Sequence, residues 1–466
     1  MARRPRITEA SVAKLGVDRL ATLLVTEAST NKALKQALQL ALESGEGVDS
    51  LASGIRQRLT SIGRAQSRLS TNKGREMVAE LKRLQASITG DVADGDPAEA
   101  LALMWLLVDL HPSLIARTRD RAGRLGDFFR EAVAALPDLA GRANPDPEKL
   151  AEDVYRRFVR DSYGFCEPLI VLLAAALRAP GLALLKSRFE AERDAHLGKV
   201  RRVQSAAAYD HVLARLQHGL RDVADAMGDV DGYIATFSPE ETRHPVYATY
   251  MAVRLADADR ADEALTLLDH AAPEFDDTPE WHMDWINARY HALQKLGRTE
   301  ELKKLTWKTF ETYLSHDHLR AHLKLLPDFD DVEAEEKALN WVTRHPAFLA
   351  ALLFLVHWPA LPRAAQTVSD RTSEIDGSEY DHLLEAAEAL DGRFPLAGIL
   401  IRRSLITFTL RLGRSHRFKQ AMQHVRELEA LDAAVTDYAD HDTHQVFMEQ
   451  LWLDHPHKAG FWSLLE

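Results

Sequence analysis

The sequence has a single cysteine, Cys166, among its 466 residues. One thiol cannot form a disulfide within the chain, and it cannot supply the several thiolates of a structural zinc site. Cysteine usage of this kind is typical of a reducing compartment. We therefore expect a cytoplasmic protein.

Long apolar runs are also missing. The longest, LIVLLAAALRAPGLALL at 169–185, is interrupted by Arg178 and Pro180 before it reaches the length that a bilayer requires. The N-terminal stretch MARRPRITEASVAKLG is basic, but it lacks the apolar segment of a secretory signal. The sequence therefore predicts a core helix at 169–185 and no membrane partner.

Period-2 alternation, which marks β-strands, is scarce along the chain. Accordingly, no Gly-rich phosphate loop follows a strand, and no GxSxG elbow is found. Sequence position pairs no histidine with Cys166, although a role for this thiol as a nucleophile stays open. We expect a protein that is not an enzyme and that carries no cofactor and no metal.

Apolar residues instead recur every three or four positions, and Ala, Leu, Glu and Arg are abundant, which is typical of amphipathic helices. The hydrophobic content of 46% and the charged content of 27% are ordinary for folded chains. Thr8 and Ser50 have the short polar side chains of helix N-caps. The predicted fold class is all-α.

Two segments share one layout, a helix with aromatic and small residues, a polar turn and a second helix. They are residues 246–271 and 285–310, and their EAL and EEL motifs are 37 residues apart. This spacing is close to that of tetratricopeptide repeats, although a plain pair of helical hairpins is an alternative. We predict hairpins stacked as an α-solenoid, tetratricopeptide-like in the C-terminal half. The predicted regions are 1–92, 93–240 and 241–466, the last with a C-terminal cap.

Several segments resemble an uncharacterised bacterial family of helical-repeat proteins, which is known as a domain of unknown function. They include PLAGILIRRSLI at 395–406, GRSHRFKQAMQHV at 413–425 and HQVFMEQLWLDHPHKAGFW at 444–462, with further likeness at 97–136 and 153–177. Similar helical regions follow SWIM-type zinc fingers, but the finger itself is missing here. The paired aspartates that the family has before Gly123 are also missing, and Arg119, Asp120 and Arg121 stand there. The resemblance implies the fold and brings no established activity.

One basic segment stands out in a chain of net charge −12. Residues 393–426 contain eight Arg/Lys and no Asp or Glu, whereas the rest of the chain has 50 Arg/Lys against 70 Asp/Glu. One explanation is neutralisation by the acidic surface of the same chain. Another is a partner that supplies an acidic peptide or a nucleic-acid backbone.

A helical wheel places Arg403 on or beside the apolar face of the first basic helix. A buried guanidinium needs partners, so Arg403 either forms a structural ion pair or lines a groove that receives a carboxylate or a phosphate. The remaining cations cluster around the turn to the next helix. The candidate ligand-binding residues are Arg402, Arg403, Arg411, Arg414, Arg417 and Lys419.

Two pairs of histidines have the helical spacing of a metal-ligand pair, His318 with His322 and His441 with His444. Neither pair belongs to an HExxH motif, so we expect surface or capping histidines. The apolar tail GFWSLLE at 460–466 either seals the last helix pair or docks on another chain.

Together these features predict a non-enzymatic interaction scaffold that recognises a protein or an acidic peptide. The alternative is a nucleic-acid-associated accessory protein that uses the same basic residues. The sequence leaves the oligomeric state open.

Overall fold

The computed structural model describes residues 8–31, 34–35, 38–39, 42–43, 45, 47–203, 211–272 and 281–465. Within these ranges every regular element is helical, and the one β feature is an isolated bridge between Leu69 and Thr118. The predicted all-α class is therefore confirmed. The chain divides into two compact units, Met1–Glu241 and Thr242–Glu466.

The first unit contains twelve labelled helices among its described residues. They are α1 (Glu9–Ala13), α2 (Val17–Thr30), α3 (Val48–Arg64), α4 (Thr71–Ser87), α5 (Pro97–Val108), α6 (His111–Arg117), α7 (Arg124–Ala134), α8 (Leu136–Ala143), α9 (Pro147–Arg160), α10 (Leu169–Val203), α11 (His211–Met227) and α12 (Val230–Ile234). A π-helical turn at Ile88–Val92 extends α4 to Gly95.

Helix α5 lies at the centre of the first unit, because it is apolar on almost every side and packs against α3, α7 and α8. One continuous hydrophobic core runs from Leu51 to Val223. Residues on both sides of the predicted division at 92/93 contribute to that core. The first unit therefore has one core, although the sequence predicts two regions in this part of the chain.

Two segments of the described chain are long and apolar enough to cross a membrane, Pro97–Arg117 and Leu169–Lys199. The first consists of α5 and α6 with a turn between them. The second is most of α10, in which Arg178 leaves helical geometry (φ 51°) just before Pro180. The core helix predicted at 169–185 is thus present with a kink. Its fully buried side chains include Leu169, Ile170, Leu173, Leu177 and Leu185.

The second unit contains thirteen labelled helices among its described residues. They are α13 (Pro245–Asp257), α14 (Ala261–His270), α15 (Trp281–Lys295), α16 (Thr299–Tyr313), α17 (His316–Lys324), α18 (Asp330–Thr343), α19 (Phe348–His357), α20 (Leu361–Asp370), α21 (Tyr380–Asp391), α22 (Pro395–Arg411), α23 (Phe418–Asp432), α24 (His444–Asp454) and α25 (Ala459–Trp462).

Helices of the second unit pack in chain order. Helices α13, α18, α19 and α20 each contact both the next helix and the one after it, as in an α-solenoid. Two of its hydrophobic clusters meet at α22, one extending back to α16 and the other forward to α25. Helix α22 therefore packs on both sides, which explains why it is apolar around most of its circumference.

The two predicted N-caps have different outcomes. Thr8 caps α1, because its hydroxyl accepts from the amide of Ser11 and Ser11 reciprocates. The prediction for Ser50 is wrong, since this residue lies inside α3 and the helix begins after Gly47. Gly47 has φ of 119°, which an L-residue rarely adopts, so glycine fixes this boundary.

Candidate ligand-binding site

The basic segment forms the helix pair α22 and α23. Pro395 starts α22 at a position where the missing amide hydrogen costs nothing. Gly413, with φ of 63°, ends it, and the amides of Gly413 and Arg414 donate back to the carbonyls of Leu410 and Thr409 at 3.1 and 3.2 Å. The chain therefore reverses sharply, which brings Arg411, at the end of α22, next to the start of α23.

Arg402 is buried, with 3% of its surface exposed, and is satisfied inside the chain. Its Nη1 and Nη2 atoms donate to Asp391 at 2.6 and 2.7 Å, and Nε donates to Glu427 at 2.9 Å. The sequence predicts Arg402 as one of the ligand-binding residues. In the structure its donors are consumed by two carboxylates, so we assign it a structural role.

Arg403 is also buried, at 8% exposure, but it has no carboxylate partner among the described residues. Its Nη1 donates to the carbonyl of Asp442 at 2.7 Å, and its guanidinium carbon lies 4.7 Å from the ring centre of Phe447 and 5.4 Å from that of Tyr438. Desolvation lowers the pKa of Arg403 below its ordinary value. The structural ion pair considered for Arg403 in the sequence analysis belongs instead to Arg402.

An open cavity of about 640 Å³ lies beside Arg403. One wall is the loop 372–377, where a Cβ on Gly377 would collide with the backbone of Ser404, so only glycine allows this close approach. The other lining residues come from α22 and from the segment before and within α24. The side chains that matter chemically are Arg403, Thr407, Phe408, Arg411, His441 and Phe447.

The remaining candidate cations form a surface that we call the basic turn, defined as Arg411, Arg414, Arg417 and Lys419. Within the described part of the chain, none of the four has a carboxylate oxygen within 4.0 Å. Arg411 and Arg414 lie over Phe408, at 5.6 and 5.1 Å from its ring centre, and Arg417 lies over Tyr380 at 5.3 Å. These aromatic contacts orient the guanidinium groups without neutralising their charge.

The two histidines of the first pair, His318 and His322, have different hydrogen-bond partners. His318 contacts the Ser315 hydroxyl at 2.9 Å, and Nδ1 of His322 bonds to the carbonyl of Lys303 at 3.1 Å. Burial lowers the pKa of both rings, which are therefore neutral at physiological pH. Among the described residues, no group of three or more His, Cys, Asp or Glu side chains is placed to hold a metal ion.

The apolar tail folds back on the last helix pair. Phe461 is fully buried, with ring centres of Phe418 and Trp462 at 5.9 and 4.9 Å. The indole of Trp462 donates to the carbonyl of His455 at 2.9 Å. This end of the chain closes the hydrophobic cluster of α22 and α23.

The sequence does not predict that residues of the α23–α24 connection and of α24 lie around Arg403. Tyr438, His441, Asp442 and Phe447 lie 35 or more positions away in the chain, and no helical periodicity relates them to α22. The only available signal was the density of aromatic, histidine and aspartate residues in YADHDTHQVF at 438–447. Such density is common in solvated loops, so it does not by itself indicate a site.

Comparison with known proteins identifies the family of the chain. No curated protein matches the sequence at a significant level. A family model described as a family of unknown function (DUF6880) matches residues 2–464, which is nearly the whole chain. The chain belongs to this family of unknown function, DUF6880.

Proposed function

We propose that the chain is a non-enzymatic interaction scaffold that binds an acidic segment of a partner protein at the basic turn. The observation that carries this proposal is that, among the described residues, four neighbouring cations have no carboxylate oxygen within 4.0 Å, in a chain that otherwise has an excess of acidic residues. The same helix pair neutralises Arg402 with two carboxylates. Intramolecular ion pairs are therefore available in this fold, and within the described part of the chain the basic turn forms none.

The physical basis is charge complementarity on a rigid support. Three of the cations lie over aromatic rings, which restricts their side chains before a partner arrives and reduces the entropy lost on binding. Exposed cations also steer an acidic partner during diffusional encounter. The proposal includes three further statements. Residues 241–466 are tetratricopeptide-like, the chain is related to the helical regions that follow SWIM-type fingers, and the protein is cytoplasmic.

The direct test uses two fluorescent probes, a glutamate decapeptide and a 20-nucleotide single-stranded DNA, with the full chain in anisotropy titrations. The variant carries Arg414→Glu, Arg417→Glu and Lys419→Glu. Its matched control carries the same charge change at exposed cations elsewhere in the second unit, namely Lys304→Glu, Lys324→Glu and Arg344→Glu. We expect the decapeptide to bind the wild type and the control, and to bind the variant at least tenfold more weakly.

A pull-down from native lysate, with and without nuclease, identifies the partner class. Partner proteins that survive nuclease and are lost with the basic-turn variant support the scaffold. Partners that vanish with nuclease, together with DNA binding that is tighter than peptide binding and falls steeply with salt, would assign the basic turn to nucleic acid and overturn the proposal.

A further inference from the structure

One edge of the Arg403 guanidinium has no hydrogen-bond partner among the described residues. Nη1 is bonded to Asp442, but Nε and Nη2 are both shielded from solvent and unbonded. A buried charged group with unmade hydrogen bonds is costly, because it has lost water and gained nothing in exchange. The hydrogen bonding of the Arg403 guanidinium is therefore incomplete.

Other arginines of this chain bind carboxylates through the same two atoms, Nε and Nη2. Arg157 donates from Nε and Nη2 to the two oxygens of Asp109, both at 2.8 Å. Arg371 holds Glu374 through the same two atoms at 2.9 and 2.7 Å, and Arg260 holds Glu263 at 2.7 and 2.7 Å. In each case two parallel N–H bonds meet one planar carboxylate, which is the geometry of bidentate recognition.

The cavity beside Arg403 supplies the other elements of a carboxylate site. Arg411 brings a second cation, which has no carboxylate oxygen within 4.0 Å among the described residues, and Thr407 brings a hydroxyl, while Phe408 and Phe447 line the cavity as apolar side chains. One acidic group of the lining is held by a cation outside it, because Glu374 is paired with Arg371. Asp376 accepts from the amide of Ser378 at 3.0 Å, and the hydrogen bonds from Ser378, with a smaller effect of the Arg411 charge, lower its pKa. Asp442 contributes a backbone carbonyl to Arg403.

We propose that this cavity binds a carboxylate group, which receives two hydrogen bonds from Nε and Nη2 of Arg403 and faces Arg411 as a second cation. The group belongs either to a small organic acid or to the acidic segment of the partner protein. The second source rests on the proposed function, whereas the first does not. Because Nε and Nη2 of Arg403 are shielded from solvent, binding requires a side chain of the cavity lining to move.

The test is nuclear magnetic resonance of the full chain labelled with ¹⁵N-arginine, observed at the Nε–H signals. The Arg403 signal is assigned by its loss in Arg403→Lys, which keeps the charge and removes the bidentate edge. The probes are succinate, the glutamate decapeptide and inorganic phosphate at equal ionic strength. We expect succinate or the decapeptide to shift the Arg403 signal saturably, with about tenfold weaker affinity in Arg403→Lys, because one of two charged hydrogen bonds is lost. Arg414→Lys is the matched control and should keep wild-type affinity.

The outcomes separate the ligand sources. Succinate binding assigns a small acid, and a shift caused by the decapeptide alone assigns the partner segment. A signal that moves with neither probe, or that moves more readily with phosphate, overturns the proposal. The basic-turn variant should keep the succinate response, so failure at the basic turn is distinguishable from failure at the cavity. If Arg403→Lys does not fold, 4-bromobenzoate soaked into wild-type crystals locates the site by the anomalous signal of bromine.

Discussion

Arg402 and Asp391 form a two-bond ion pair between consecutive helices, α22 and α21, and the Nε atom of the same guanidinium reaches Glu427 on α23. One side chain therefore ties three helices together. Helix α22 allows this approach at Gly398, where a Cβ would collide with the Asp391 carboxylate. The ion pair accounts for one of the eight cations in the basic segment. It gives Arg402 a structural role that its neighbour Arg403 does not share.

Replacement of this arginine should destabilise the second unit. Arg402→Met leaves two partly buried carboxylates without their cation, and we expect a loss of about 3 kcal/mol in the free energy of unfolding. Urea denaturation followed by circular dichroism measures it. Arg414→Met, at a cation without an ion pair, should stay within about 0.5 kcal/mol of the wild type. Equal midpoints for the two variants would contradict the structural role of Arg402.

The sequence predicts the helices of this site well, but it does not predict which side chains contact each other. The helices observed at Tyr380–Asp391 and Pro395–Arg411 agree with the recurrence of apolar residues every three or four positions, and Pro395 and Gly413 mark the ends of the second helix. Arg402 and Arg403 are different, because adjacent helical residues point about 100° apart and each one's partners lie on other elements. Arg402 is structural because it bonds to Asp391 and Glu427. Arg403 is instead surrounded by Asp442 and Phe447. No local pattern encodes these tertiary neighbours.

In the first unit, Asp161 is a buried acceptor of three hydrogen bonds. They come from the amides of Cys166 and Tyr163, at 2.6 and 2.8 Å, and from Nε2 of His111 at 3.2 Å. Nδ1 of His111 lies 2.9 Å from the carbonyl of Val108, which can only accept. Burial opposes ionisation of Asp161, yet these bonds hold its pKa below the ordinary value.

This geometry predicts acid sensitivity of the first unit. Because the pKa of Asp161 is lower in the folded state, its contribution is complete above the unfolded value of about 4 and is lost as the pH falls from there toward the folded value. Asp161→Asn should lower stability at pH 7 by about 1–3 kcal/mol and flatten the pH dependence below pH 4. Urea midpoints between pH 2 and 7 test this, with the exposed Asp138→Asn as control. Parallel pH profiles for the wild type and Asp161→Asn would rule it out.

The single thiol should be unreactive in the folded chain. Desolvation, aided by the charge of Asp161, raises the pKa of Cys166 to about 12, and the side chain is buried. Since the thiolate is the nucleophile, alkylation by iodoacetamide at pH 8 should be at least about a hundredfold slower in the native chain than in urea. Mass spectrometry of timed samples gives both rates. Similar rates in the two conditions would show that Cys166 is accessible, and would reopen a nucleophilic role for it.

The C-terminal tail should determine the stability of the helices that it covers. Phe461 is fully buried against Phe418, and removal of its ring leaves a cavity at the end of the α22–α23 cluster. Phe461→Ala should cost about 3–5 kcal/mol locally. In stacked helices each element depends on its neighbours, so hydrogen exchange should accelerate in α23 and α24 while α13–α16 change little. Leu465→Ala, at a side chain that is 46% exposed, is the matched control. Uniform acceleration across the second unit would mean that it unfolds as one cooperative block.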